Sequence, residues 1–333
     1  MIGAENIFNI CTGKSSDSSK ATFEAIALSV FKWQYQHNTI YRGFCNHLKK
    51  NPESVLKISD IPFLPIEFFK KNSIISGPET PTTIFNSSGT TGSEVSKHFV
   101  TDISIYETSY RKAFAQFYGA ISDYRILALL PSYLERKGSS LVYMVADLIE
   151  QSGHKESGFY LNAMDDLIPT LTRLDAEGTK VLLIGVSFAL LDLVETHRFQ
   201  LNNTLVMETG GMKGRRKEMI REELHEILEK GFGVAEIHSE YGMTELLSQA
   251  YSAGEGIFKT PPWMRVYFRD TEDPFTTQAF GKTGGINVID LANINSCAFI
   301  ATQDLGKGHQ DGSFEILGRF DHSDIRGCNL MVL

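Results

Sequence analysis

Within Ser87-Ser88-Gly89-Thr90-Thr91-Gly92, four hydroxyls and two glycines fill six residues, and Lys97 follows five positions later. Small residues let the backbone turn several N–H groups toward one point, which makes an anion-binding nest. The hydroxyls add donors, and the lysine adds a positive charge on a long flexible stem. Such a set suits a polyphosphate. It does not follow the mononucleotide pattern G-x-x-x-x-G-K-[ST], because Gly89 and Gly92 stand too close together and Lys97 too far on. A Ser/Thr/Gly surface loop with no ligand stays open as the alternative.

With Ser96-Lys97 behind it, the loop resembles the phosphate loop of the adenylate-forming superfamily: acyl-CoA ligases, peptide-synthetase adenylation domains and luciferases. Three further segments follow in that superfamily's order. Tyr241-Gly242-Met243-Thr244-Glu245 is similar to its second nucleotide motif. The resemblance implies Tyr241 against adenine, the Thr244 hydroxyl toward the α-phosphate and Glu245 holding Mg2+. A carboxylate suits magnesium, which prefers hard oxygen ligands shared with substrate phosphates. Without the resemblance, the same stretch reads as a β-turn with a helix cap at Ser239. Thr302-Gln303-Asp304 resembles the Thr-Gly-Asp segment whose aspartate takes both ribose hydroxyls, although Gln303 stands where the family has glycine. An ionised carboxylate can accept both hydrogen bonds of a vicinal diol. Gly318-Arg319-Phe320-Asp321 matches the family's hinge signature, which implies Arg319 at the ribose and phosphate and Asp321 as a pivot. For that pair a salt-bridged turn is the alternative. Gly210-Gly211 corresponds to a glycine pair that shapes the adenine pocket, so the resemblance implies ATP and Mg2+ as cofactors. The Lys213–Arg216 cluster behind it reads as a solvated helix start.

The ending Arg326-Gly327-Cys328-Asn329-Leu330 narrows the resemblance to the acyl-protein synthetases of bacterial bioluminescence and their non-luminous relatives, as do Pro62–Lys70, Leu130–Arg136 and Gly138–Leu141. In that group a fatty acid becomes acyl-AMP, passes to a cysteine near the C-terminus of the same chain and then reaches a reductase. The resemblance therefore implies a carboxylic acid substrate, Cys328 as acyl acceptor and an acyl reductase or acyl carrier as partner protein. A thiolate is the best side-chain nucleophile near neutral pH, and Arg326 favours that form. A buried apolar cysteine in a terminal strand is the other reading. Full-length superfamily members add a mobile C-terminal domain with a catalytic lysine, whereas this sequence stops at Leu333, a dozen residues beyond Asp321. Lys97, Lys213, Arg326 or a partner is then expected to offset transition-state charge, or the activity is weak.

Two readings of other classes remain. Gly185-Val-Ser187-Phe-Ala189 approximates a nucleophile elbow, which with Asp192 or Glu195 and His197 or His238 would make a serine acyl hydrolase. Ala189 replaces the last glycine, and both acids share the serine's helix, a poor geometry for a triad. The second is a nucleotide-binding scaffold without catalysis. A net charge of -8 over 333 residues argues against nucleic acid as a partner. Four cysteines without a C-x-x-C pair argue against a zinc site and fit a reducing cytoplasm, and no stretch approaches a membrane span.

The elements that must position these residues follow from periodicity. Apolar spacing predicts a helix from Ala21 to Lys50, broken at Gly43, after a polar lead-in over 1–20. Two prolines make Pro62–Lys70 extended, with Phe63, Phe68 and Phe69 packed on the body. Strands are expected at Arg125–Leu130, Val181–Ile184, Leu205–Glu208 and Val234–Ile237. Helices are expected from Ser104 (as a capping box) to Tyr118, and at Ser139–Gln151, Asp165–Glu177, Ala189–Arg198 and Arg216–Lys230. This alternation predicts an α/β fold, mostly parallel sheet flanked by helices. From Trp263 short strand-like runs predict a smaller C-terminal β subdomain. The expected division is 1–80 helical lead-in, 81–260 nucleotide-binding core and 261–333 β-rich subdomain.

Overall fold

The computed structural model describes residues 7–8, 16–87, 95–131, 138–210 and 219–319. The chain forms two compact units, one of Met1–Thr83, Ser96–Asp102 and Thr260–Leu333, the other of Ile84–Val95 and Ile103–Lys259.

In the first unit, helices α1 (Ser16–His37) and α2 (Thr39–His47) meet at Asn38. The break expected at Gly43 therefore lies five residues earlier, and the first helix starts inside the expected lead-in. Asn38 has extended backbone, and its Oδ1 accepts from Tyr41 N at 2.9 Å, an N-cap that starts the second helix. Its amide also donates to Ser76 Oγ (3.2 Å) and Ser296 O (3.1 Å), and buried Gln34 donates to Asn293 O and Ile294 O at 2.9 Å each. The Pro62–Lys70 segment is extended as far as β1 (Leu64–Pro65), which runs parallel to Ile300 and Ala301, and then makes one helical turn, α3 (Phe68–Lys71). Phe69 is fully buried, and Phe63 and Phe68 meet the rings of Tyr267 and Phe44. After β3 (Lys97–Val100), the unit continues with antiparallel β11 (Met264–Arg269), β12 (Thr283–Asp290), β13 (Phe299–Gly308) and β14 (Phe314–Arg319).

The second unit is a wound sheet. After β2 (Thr83–Asn86), its parallel strands are β4 (Arg125–Leu129), β5 (Gly158–Phe159), β6 (Val181–Val186), β7 (Thr204–Thr209) and β8 (His238–Tyr241), in the spatial order β5-β4-β6-β7-β8. Antiparallel β9 (Ala250–Ser252) and β10 (Ile257–Lys259) extend it beyond β8. Helices α4 (Ile103–Tyr118), α5 (Ser140–Ser152), α6 (Met164–Ala176), α7 (Ser187–Thr196) and α8 (Arg221–Phe232) supply the connections. Strands covered on both faces read as continuous apolar runs, and Val181–Val186 is buried at every position. The first helix begins at Ile103, so Ser104 lies inside its first turn instead of capping it. Ser139 does cap the next, accepting from Val142 N.

Candidate nucleotide site

A doubly wound sheet offers ligands the carboxyl ends of its strands, most of all where the strand order reverses. Here it reverses beside β4, since β5 lies on one side of that strand and β6 on the other. Asn86 N donates to Gly138 O at 2.7 Å, which holds Ser87 beside the connection leaving β4 for the next helix. A Cβ on Gly138 (φ +85°) would meet Asn86 Nδ2 at 2.7 Å, so the close approach requires glycine there. Phe85, one residue earlier, is anchored between the rings of Tyr106 and Tyr143 at 5.5 and 5.7 Å.

Two further candidate segments leave the same edge. Glu208 pairs with Ser239 and Thr209 with Glu240 across β7 and β8, so the next residues, Gly210 and Tyr241, emerge from adjacent rungs. Gly210 turns out of its strand at φ +66°. The strand expected at Val234–Ile237 instead occupies His238–Tyr241, so Tyr241 ends it and Thr244-Glu245 form the turn that follows, closed by Leu246 N to Met243 O at 3.1 Å. Its polar residues are buried because they are paired. Ser239 Oγ accepts from Arg221 at 3.0 Å and lies 3.4 Å from His225 Nε2, and Glu240 Oε2 accepts from Thr209 Oγ1 at 2.5 Å. Ser239 caps no helix. The Tyr241 ring is nine-tenths buried and stands 6.2 Å from Phe258, edge-on. Glu245 is 5 % exposed. Among the described residues no three His, Cys, Asp or Glu side chains group as a metal cage. A single carboxylate fits magnesium, which keeps several waters and takes its remaining ligands from phosphate.

Asp304, Arg319 and Lys97 belong to the first unit. Asp304 and Arg319 are partners across β13 and β14, with Arg319 Nε 3.3 Å from Asp304 Oδ1. The aspartate is 9 % exposed and the arginine side chain 74 %, so one is fixed by its surroundings and the other reaches solvent. Gln303, the departure from the family pattern, donates to Glu67 Oε1 at 2.8 Å and ties the Asp304 strand to the Pro62–Lys70 segment. Lys97 opens β3 with its side chain exposed. Ser88, Gly89, Thr90, Thr91, Gly92, Gly211, Lys213, Asp321, Arg326 and Cys328 lie outside the described residues.

The sequence reading missed a buried cluster behind Gly210. Glu208 accepts from Ser187 Oγ at 3.2 Å and from Arg221 Nη1 at 2.5 Å, with His225 Nε2 at 3.7 Å. Burial alone would raise its pKa, but the neighbouring His225 imidazole and the Arg221 charge outweigh that and hold it below the usual carboxylate range. The available signal was an acid at the end of an apolar strand, which implies a buried partner. The same cluster accounts for Ser187. Its hydroxyl is 1 % exposed and engages Glu208, while the His197 ring packs on Phe199 at 4.4 Å and that of His238 on Tyr118 at 5.7 Å. Ser187 does stand at the turn from β6 into α7, but its hydroxyl donates to Glu208, so among these described residues no Ser-His-acid triad is assembled. His225 presents the same Nε2 to both Ser239 and Glu208, which is not the relay of a triad.

The fold is similar to that of solved structures. ATP-bound MatB from Rhodopseudomonas palustris aligns with a TM-score of 0.54 at 18 % identity, over 71 % of this chain and 47 % of that one. An open conformation of 2-hydroxyisobutyryl-CoA ligase, in complex with 2-HIB-AMP and CoA, aligns with a TM-score of 0.66 at 12 % identity, over 93 % of this chain and 71 % of that one. The chain shares the fold of these two structures. It spans about half the length of the MatB structure. Residues 10–112, just under a third of the chain, match the family model of the acyl-protein synthetase LuxE. No curated protein sequence matches the chain significantly. Among the described residues no helix is long and apolar enough to cross a membrane.

Proposed function

We propose that the chain activates a carboxylic acid with ATP, forming acyl-AMP and pyrophosphate, and then passes the acyl group to a thiol. The observation that carries this reading is the pairing of β7 with β8, which delivers Gly210 and the Tyr241–Glu245 turn to one sheet edge. The adenylate-forming fold and the acyl-protein synthetase match over 10–112 support it.

The substrate carboxylate oxygen attacks the α-phosphorus in line, a P–O bond forms, and pyrophosphate leaves. Most of the catalysis such a displacement needs is positioning and stabilisation of spread negative charge. The Ser87–Gly92 loop and Lys97 would steady the β- and γ-phosphates, and the Thr244 hydroxyl would face the α-phosphate. Glu245 would hold the Mg2+ that accompanies the nucleotide. Tyr241, with Gly210 and Gly211, would form the adenine pocket, while Asp304 and Arg319 would take the ribose. In the second step a thiolate sulfur attacks the acyl carbonyl and AMP leaves. Cys328 is the proposed acceptor, Arg326 its activating neighbour, a fatty acid the proposed substrate and an acyl reductase or acyl carrier the proposed recipient.

The test is acid-dependent exchange of labelled pyrophosphate into ATP, across fatty and aryl acids. Exchange with any acid is the expected result and ranks the substrates. No exchange with any acid, from protein that binds ATP, would sink the adenylation reading. A Cys328→Ser protein that still became acylated would sink only the second step.

A further inference from the structure

Along a strand, side chains alternate between the two faces of the sheet. Glu208 and Thr209 therefore project to opposite faces, as do their partners Ser239 and Glu240. On one face the Glu208 carboxylate gathers Ser187 Oγ at 3.2 Å from the start of α7 and Arg221 Nη1 at 2.5 Å from the start of α8. The same Arg221 nitrogen continues to Ser239 Oγ at 3.0 Å, so one guanidinium spans both strands. On the other face Thr209 Oγ1 donates to Glu240 Oε2 at 2.5 Å. The next residue of each strand is a candidate nucleotide contact, Gly210 or Tyr241.

Arg221 is itself confined. A Cβ on Gly256 (φ +66°) would meet its Cδ at 2.9 Å, and its guanidinium carbon stands 5.0 Å over the Phe258 ring. A well-packed apolar replacement for a buried ion pair is often as stable or more so, which makes stability alone a weak reason for this one.

We propose that Glu208 and Arg221 are positioning residues for the nucleotide, their ion pair fixing the exits of β7 and β8 and so the geometry of Gly210 and of the Tyr241–Glu245 turn. The identity of the ligand rests on the function proposed above, but the fixing of the two exits does not. Neither residue touches the reacting atoms. They act through the backbone they hold, and small misplacements of binding groups cost large factors in rate.

The experiment compares Glu208→Gln and Arg221→Lys with Lys230→Ala, which breaks only a surface pair with Glu226 on the same helix α8. Two readouts are taken on the full chain: ATP affinity by titration calorimetry, and amide hydrogen exchange without nucleotide. Glu208→Gln is expected to weaken ATP at least about tenfold and to speed exchange over 205–210 and 238–247 while β4 and β6 keep wild-type rates. Arg221→Lys, which keeps the charge, should recover part of both, and Lys230→Ala should match wild type. If Glu208→Gln does not fold, Arg221→Lys carries the same comparison in weaker form. ATP affinity unchanged in both variants, or exchange accelerated evenly across the sheet, would overturn the proposal. Should wild-type protein bind no ATP, the nucleotide reading falls and exchange alone decides. Acceleration confined to the two exits would then uphold the positioning role, and none, or a uniform one, would end it.

Discussion

At Gly242 an added Cβ would lie 2.5 Å from Glu240 Oε1 and 3.2 Å from Gln249 Cγ, both buried side chains. Gly242→Ala is therefore expected to cost about 1–3 kcal/mol by overpacking, read as a lower urea midpoint, and to abolish pyrophosphate exchange by moving the turn that carries Thr244 and Glu245. Arg319 makes the opposite prediction. Its ion pair with Asp304 is solvent-exposed on the arginine side and contributes about 0–1 kcal/mol. Arg319→Met should leave the melting temperature near wild type while raising the KM for ATP, and an unchanged KM would remove Arg319 from the site. His238 gives a pH signature. Burial holds its pKa down at about 4, below the ordinary 6.5, so the folded protein binds fewer protons than the unfolded chain between those values. Stability from this group is fully present above pH 6.5 and lost as pH falls toward 4. Urea midpoints should decline across that window, and His238→Gln should flatten the decline. Glu208, shifted below its ordinary 4.5, adds loss only at lower pH still.

At the scale of elements, the first helical break separates two hypotheses by mutation. Gly43 lies within α2 with nothing within 4 Å of an added Cβ, so Gly43→Ala should be neutral or stabilise by about 0.5–1 kcal/mol. Asn38→Ala removes a cap and two buried hydrogen bonds and should destabilise by about 1–3 kcal/mol. Thermal melts of the two variants check both. The helix pair itself was legible in the sequence, because its periodicity is local information. Its break was not, since Asn38 is fixed by Ser76 and Ser296, far along the chain. The last parallel strand shows the same limit. Val234–Ile237 is the more apolar run, yet pairing with Met207–Thr209 places the strand on His238–Tyr241. Those polar residues are affordable in a buried strand only because Arg221, His225 and Thr209 satisfy them, and such partners cannot be read from spacing.

At the scale of the whole molecule, the α/β architecture was legible because alternating apolar strands and amphipathic helices leave few other layer arrangements. Candidate residues in short motifs could be named from the sequence by resemblance, as Tyr241-Gly-Met-Thr-Glu245 and Asp304 illustrate. The braces behind them could not, because Glu208, Arg221 and Ser239 carry no shared spacing and meet only through the sheet register. The most direct test of acid activation follows the substrate oxygen. A carboxylic acid that supports pyrophosphate exchange is labelled with oxygen-18 in its carboxylate and turned over with ATP and a thiol or hydroxylamine as acyl acceptor. Acyl-AMP chemistry predicts AMP carrying one labelled oxygen, since the carboxylate oxygen bonded to the α-phosphorus stays with AMP when the carbonyl is attacked. Unlabelled AMP, or ADP with the label in inorganic phosphate, would contradict the account.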